Sequence, residues 1–253
     1  MTVTRDLPPG YRKVAFEEID STNDEALRRV RSGRARRDEV TVIVAACQTS
    51  GRGRQGRRWQ SPSGNLYMTL LAAAPDRRHS PELAFVAAVA VGESVSAALP
   101  GKLTLGYKWP NDLMCGGRKV GGILIEIETS PDGAVFAAIG IGLNVARAPD
   151  GLAPAATALA AEGAGGIAAG SLVAPICARF GDWRARWLAQ GFAPVRANWL
   201  AGAQGLGAAV VVRTGEGTLD GVFEGLDEEG RLVLLQGASR RRIAAAELLT
   251  AGV

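Results

Sequence analysis

Histidine is nearly missing from this chain: His79 is the only one in 253 residues. That scarcity argues against any catalytic triad built on an imidazole. His79 itself precedes Ser80-Pro81-Glu82, a predicted helix start, and is expected at the surface. Cysteine is almost as scarce. Cys47, Cys115 and Cys177 are odd in number, far apart and fit no zinc or disulfide spacing, so they read as reduced thiols of a cytosolic protein. No basic-then-apolar leader opens the sequence and no run of about eighteen apolar residues follows, so neither export nor a membrane span is expected and the default location is the cytoplasm. A net charge of +4 is modest for this length. The useful clue is local, because arginine gathers in two tracts, Arg28 to Arg37 and Arg52 to Arg58. With 47% apolar and 21% charged residues the composition is that of an ordinary globular protein. The length accommodates one large domain and a small one.

Val14 to Ile19 reads as a strand running into Asp20-Ser21-Thr22-Asn23-Asp24-Glu25, where Thr22 and Glu25 have the spacing of a capping box. Arg28, Arg29 and Arg31 suit the negative end of the helix that follows, and Gly33 ends it. Val40 to Ala46 and Leu66 to Ala72 have the length and branching of buried strands. A second helix is expected over Pro81 to Leu99, stopped by Pro100-Gly101. Strands are expected at Leu103 to Tyr107, Val120 to Ile127 and Val135 to Ile141. Residues 148–170 are rich in Ala, Gly and Pro and read as a connection with a short helical piece. From Ser171, residues Leu172, Ile176, Phe180, Trp183 and Trp187 mark one buried face of a helix that Gly191 closes. From Gly207 the texture changes to short strands, Val210 to Arg213, Leu219 to Leu226, Leu232 to Leu235 and Arg240 to Ile243, separated by tight glycine turns. These read as a small β-barrel leaning on the main domain. The fold class is therefore α+β: a mixed sheet with packed helices over residues 1–203 and a β-rich unit over 204–253.

Three stretches carry chemistry. Gln48 to Trp59 places four arginines and three glycines in a loop between strands. Guanidinium forks bind phosphate or carboxylate oxygens in pairs and glycine allows close approach, which describes an anion clamp. The same composition also suits a solvated loop or an RNA-binding segment, and composition alone does not choose. Lys108-Trp109-Pro110-Asn111-Asp112 follows a predicted strand and offers a lysine held at a strand end, fit for a carboxylate and an α-phosphate side by side; a plain structural turn is the alternative. Arg118-Lys119-Val120-Gly121-Gly122 leads to Glu126, with paired glycines marking a close approach. Ile139-Gly140-Ile141-Gly142-Leu143-Asn144 alternates glycine along a strand end. It lacks the third glycine and the helix of a dinucleotide fingerprint, and tight packing explains its glycines as well as a ligand does.

Taken in order, Ser21-Thr22-Asn23, Gln48 to Trp59, Lys108 to Asp112 and Gly140 to Asn144 closely resemble the bacterial biotin–protein ligases. The resemblance spans about residues 15–145, and the β-rich end is similar to that family's SH3-like C-terminal domain. It implies the class II aminoacyl-tRNA synthetase-like fold for the larger unit. The catalytic pattern begins by residue 15, which leaves no room for the family's DNA-binding domain, so the expectation is a ligase-only member that does not bind DNA. The sequence leaves monomer and homodimer both open.

The resemblance further implies a site. Ser21, Thr22, Asn23 and Gln48 would face the ureido ring of biotin, whose two N–H donors and carbonyl suit hydroxyl and amide partners. Gly51, Arg52, Gly53 and Arg54 would order over biotin and its adenylate, and Gly122 and Gly140 would line the pocket. Arg57 would lie near the nucleotide phosphates, Trp59 over the adenine, and Asn144 near the nucleotide or a Mg²⁺ ion for which no ligand is firmly assigned. Lys108, with Arg54, would be catalytic by bridging the biotin carboxylate and the α-phosphate. Gln55 stands where many relatives carry another basic residue. The implied reaction joins biotin and ATP to biotinyl-5'-AMP with loss of pyrophosphate. The biotinyl group then passes to a lysine of a biotin carboxyl carrier protein domain, of acetyl-CoA carboxylase or a related carboxylase. Rival readings are a lipoate–protein ligase or octanoyl transferase, a nucleic-acid-binding protein and a bifunctional repressor.

Overall fold

The computed structural model describes residues 7–99, 101, 103–149, 155–244 and 246–250. Pro100, placed above at the end of the second helix, lies outside them. The larger unit begins with β1 (Tyr11–Ile19), α1 (Thr22–Arg31) and β2 (Val40–Gln48). β1 and β2 pair in parallel with α1 as their crossover, because two parallel neighbours need a connection long enough to return the chain. β3 (Leu66–Ala73), β4 (Gly106–Lys108), β5 (Asp112–Cys115), β6 (Arg118–Thr129) and β7 (Val135–Leu143) complete a mixed sheet in the order β1-β2-β3-β7-β6-β5-β4.

The central strands read as unbroken apolar runs because both of their faces are covered. On one face Ile43, Leu71, Phe136 and Ala138 pack beneath Ala26, Leu27 and Val30 of α1. On the other, the alternate residues Val42, Leu70, Ala137 and Ile139 join the core beneath α2 (Leu83–Ala98) and α3 (Val173–Gln190). The expected face of α3 is buried from Leu172 to Trp187, and Gly191 ends the helix at φ +71°. Ser80–Ala98 is apolar and long enough to cross a bilayer by composition, which the residue pattern had not suggested. Here it is a core helix: Val86, Val89, Ala90 and Val91 are fully buried.

Several elements differ from expectation. The strand expected at Leu103 to Tyr107 is the shorter β4, and β5 occupies what read as a turn. α4 (Ala193–Ala201) follows α3 directly, where no helix was expected. The cap of α1 is Ser21, whose hydroxyl accepts from the Asp24 amide, and Thr22 is the first helical residue.

A second sheet contains β8 (Ala209–Thr214), β9 (Gly217–Leu226), β10 (Leu232–Gln236), β11 (Ser239–Ile243) and β12 (Glu247–Thr250), in the order β11-β10-β9-β8-β12. Its four expected strands are present and β12 is additional. The turn before β10 docks on the larger unit: Gly230, at φ +76°, leaves no room for a Cβ beside Phe85, and its carbonyl accepts from Trp109 Nε1 at 3.0 Å. Trp109 is almost fully buried, so a phenyl ring there strands that carbonyl. Trp109→Phe is expected to lower stability by about 1–3 kcal/mol in urea unfolding; an unchanged midpoint would show that the docking contact contributes nothing.

Candidate functional site

A cleft of about 580 Å³ opens between the N-terminal end of α1, the ends of β6 and β7, and β12. Every expected site residue except Gly51 lines it. Gly51 is buried just behind, with Trp59 O and Ser61 Oγ each 2.6 Å from where its Cβ would stand.

At the inner end, Gln48 Oε1 accepts from the Thr22 amide at 2.9 Å and from its hydroxyl at 3.2 Å, while Gln48 Nε2 donates to Ser61 Oγ at 3.0 Å. Thr69, fully buried on β3, donates to Asn23 Oδ1 at 2.6 Å and lies 2.8 Å from the Thr22 hydroxyl. Thr22 therefore serves this network and leaves capping to Ser21. Gly140 is the floor beneath Asn23, since a Cβ there would stand 2.5 Å from Asn23 Oδ1. The result is a tight cluster of hydroxyls and amides whose orientation the protein itself has fixed, with lone pairs and N–H groups left over for a polar ring.

The arginine loop is a small hairpin folded over the cleft. Arg52 bridges to Arg58, Gly53 N–H donates to Arg57 O, and Trp59 N–H donates to Gly51 O. Gln55 (φ +57°, ψ +34°) and Gly56 (φ +70°) form its tip. Two consecutive positive φ values are the signature of a tight hairpin turn, and Gln55 is its non-glycine member. Trp59 lies on the bare backbone of Gly142, where a Cβ would meet its ring at 2.6 Å, and reaches Gly122 at ordinary contact distance. Its Nε1 is buried without a partner.

Both ends of the hairpin are anchored. Arg52 pairs with Asp24 of α1 and with Glu126 of β6. Arg57 pairs in bidentate fashion with Glu247 of β12 at 2.9 and 3.2 Å, which holds that carboxyl below its usual range and raises the guanidinium. Between them Arg54 is half-buried, makes a 3.4 Å contact to Asn111 Oδ1, and has its pKa lowered by burial.

Lys108 is the electrostatic anomaly. It is 6% exposed at the end of β4, and it forms no ion pair with any described carboxylate. Burial pushes its pKa down, and the charge of Asp112 only partly opposes that. Asp112 is bound instead to Lys119, whose ammonium lies 5.7 Å from the centre of the Trp59 ring. Asn144 is buried, donating to Thr157 O at 3.1 Å. Sequence reasoning gave no role to Lys119, Asp112, Thr69, Glu126 or Glu247. Asp112, Lys119 and Glu126 were visible only as members of the Lys108–Asp112 and Arg118–Glu126 stretches; Thr69 and Glu247 carry no local signal. Among the described residues no three of His, Cys, Asp and Glu gather as a metal site.

A cleft that sets a neutral polar cluster at one end and converging cations at the other is that of an enzyme activating a carboxylate with a nucleotide. Comparison with known proteins agrees. Residues 15–145 match the model described as the biotin/lipoate A/B protein ligase family, and residues 205–248 match the biotin protein ligase C terminal domain. The chain is 41% identical over 244 residues to the biotin--[acetyl-CoA-carboxylase] ligase of Paracoccus denitrificans, covering 92% of this chain and 98% of that protein. It is 32% identical to the bifunctional ligase/repressor BirA of Bacillus spizizenii, over 92% of this chain and 72% of that one. The biotin protein ligase from Aquifex aeolicus in complex with biotin and ATP superposes with a TM-score of 0.78 at 26% identity, covering 94% of this chain and 97% of that one. The chain belongs to the biotin/lipoate A/B protein ligase family, among the biotin protein ligases.

A buried ammonium group without a counter-ion destabilises the ligand-free fold. Lys108→Met, which keeps the length and removes the charge, is expected to raise the thermal unfolding midpoint of the ligand-free protein, by about 1 kcal/mol at that midpoint. A lowered midpoint would mean that Lys108 has a stabilising partner and is not poised for an incoming anion.

Proposed function

We propose that this protein is an ATP-dependent biotin–protein ligase whose reaction runs in the cleft between the Asn23 cluster and Lys108. The observation that carries the reading is the pairing of those two ends: a site for a neutral ureido ring and, farther along, buried positive charge waiting for anions. Biotin has both features, a ring with two donors and one acceptor and a carboxylate at the end of an aliphatic chain.

In the first step a biotin carboxylate oxygen attacks the α-phosphorus of ATP, the bond to the bridging oxygen breaks, and pyrophosphate leaves. Two anions must meet, so what the protein supplies is position and positive potential. Lys108 is suited to lie between carboxylate and α-phosphate because its charge is unneutralised in the empty cleft. Arg54 adds a second cation, and Arg57 and Lys119 can turn to phosphate oxygens by exchanging Glu247 and Asp112 for them. Trp59, lying against Gly142, offers its ring to the adenine. A Mg²⁺ ion would supply further positive charge to the departing pyrophosphate, and Asn144, which lines the cleft and uses its amide nitrogen on Thr157 O, would offer it a side-chain oxygen. In the second step the neutral amine of a carrier lysine attacks the carbonyl of the mixed anhydride, AMP leaves, and the nitrogen gives up a proton. Asp112, on the cleft wall, is placed to receive an incoming ammonium group. The hairpin keeps water from the anhydride until then. The acceptor in this reading is a biotin carboxyl carrier domain, and ATP as substrate together with free thiols suits a cytoplasmic setting.

The test is pyrophosphate–ATP exchange. Exchange should require biotin, should not respond to lipoate, and should give way to biotin transfer when a carrier domain is added. Exchange that is indifferent to biotin, or that lipoate supports equally, refutes the reading. Lys108→Ala or Arg54→Ala should each slow biotinyl-AMP synthesis by about a hundredfold or more, and near-normal synthesis would remove that residue from the chemistry.

A further inference from the structure

Two parts of the site that are far apart in sequence end on one oxygen atom. Glu126 lies on β6 opposite Ala138, two residues from Leu124, which faces Gly140, so its side chain rises from the sheet beside Asn23. Its Oε2 accepts from Asn23 Nδ2 at 2.8 Å and from Arg52 Nη2 at 3.0 Å. We propose that Glu126 is a positioning residue that sets the direction of the Asn23 amide in the pocket and, through the same oxygen, holds the Arg52 end of the hairpin closed over it.

The first half follows from donors and acceptors. In the observed direction the Asn23 carbonyl accepts from Thr69 at 2.6 Å and its NH₂ faces the carboxylate. Reversal would set a carbonyl oxygen against a carboxylate oxygen with no proton between them, which is repulsive at this range. Nor can the side chain retreat toward the sheet, because it already lies on the backbone of Gly140. Glu126 thereby decides which free N–H and which free lone pair Asn23 offers to a ligand. The second half follows from charge. Arg52 sits between Asp24 and Glu126, and the three side chains are 40%, 32% and 24% exposed. A partly shielded pair of this kind shifts an open–closed balance by about fivefold.

The first half rests on the biotin reading of the cleft; the second does not. Glu126→Gln preserves shape and one acceptor but removes the charge and lets the amide pair reverse. Biotin affinity is measured by calorimetry, and cleavage by trypsin after Arg52, Arg54, Arg57 and Arg58 is mapped by mass spectrometry with and without biotin. The variant should bind biotin about tenfold more weakly, with ATP affinity unchanged. Its ligand-free hairpin should be cut about fivefold faster. In an Asn23→Ala background the substitution should cost no further biotin affinity, and in an Arg52→Gln background it should not speed cleavage further. Arg52→Gln alone should accelerate cleavage, which keeps the second half testable if Glu126→Gln does not fold. Both effects staying within about twofold, or simple additivity in the double variants, would overturn the proposal; so would one effect appearing without the other. A wild-type protein that binds no biotin would refute the ligase reading instead, while the ligand-free cleavage comparison would still decide the hairpin contact.

Discussion

A positive charge without a counter-ion organises this molecule. Lys108 closes β4 almost fully buried on the wall of the cleft, and the carboxylate that acts on it most, that of Asp112, is committed to Lys119. Folding such a group costs free energy that the rest of the chain must offset, and it does so with a core covering both faces of the sheet. What the charge provides is selectivity for an occupant. A cleft with unneutralised positive potential holds an anion more firmly than it holds water, and its low-dielectric walls strengthen that preference.

The opposite end of the cleft works by the reverse principle. Asn23, Thr22, Gln48 and Thr69 each have at least one protein partner, so the cluster is oriented before any ligand arrives. Preorganised hydrogen bonding discriminates well because a ligand of the wrong pattern leaves buried groups unpaired. The glycines of β7 make room for this arrangement. Gly140 admits Asn23 and Gly142 admits Trp59, so the close approaches that the strand's glycines announce are filled by the protein's own side chains. A ligand then lies against those side chains, with the sheet one layer below.

Legibility in the sequence followed the range of the interaction. The stripe from Leu172 to Trp187 and the β-branched runs of β2 and β3 were readable because their signals are periodic and local. Gly191 and Gly33 were readable as stops for the same reason. Asp112–Cys115 was not, since a four-residue strand beside a Trp-Pro pair has no period of its own. α4 begins beside a proline and has no distinct apolar face, and β12 is only four residues long; both are stabilised by packing that no window of sequence contains. The cap of α1 was misread by one position because Ser21 and Thr22 offer the same chemistry, and only the partner across the fold, Gln48, assigns Thr22 elsewhere. In the site, the blocks of unusual composition were legible and their counter-charges were not. Glu247 meets Arg57 across 190 residues of chain, and Glu126 meets Arg52 across 74.

Those counter-charges bear on what the hairpin can do. Asp24 and Glu126 hold one end to the larger unit, and Glu247 holds the other to the second sheet. Ion pairs at half-exposed positions are weak individually and exchange readily with anions from solution. A hairpin anchored this way can be closed in the resting protein and still release its arginines to phosphate oxygens, because each guanidinium trades one carboxylate for another anion at little net cost. The two anchors are not equivalent. The Arg52 end is tied to the polar cluster that would hold the acid, and the Arg57 end to the sheet that closes the nucleotide side of the cleft. Opening at Arg57 alone would admit or discharge phosphates while the acid stays covered, an order that suits an activated anhydride which must outlast the departure of pyrophosphate and meet an amine before it meets water.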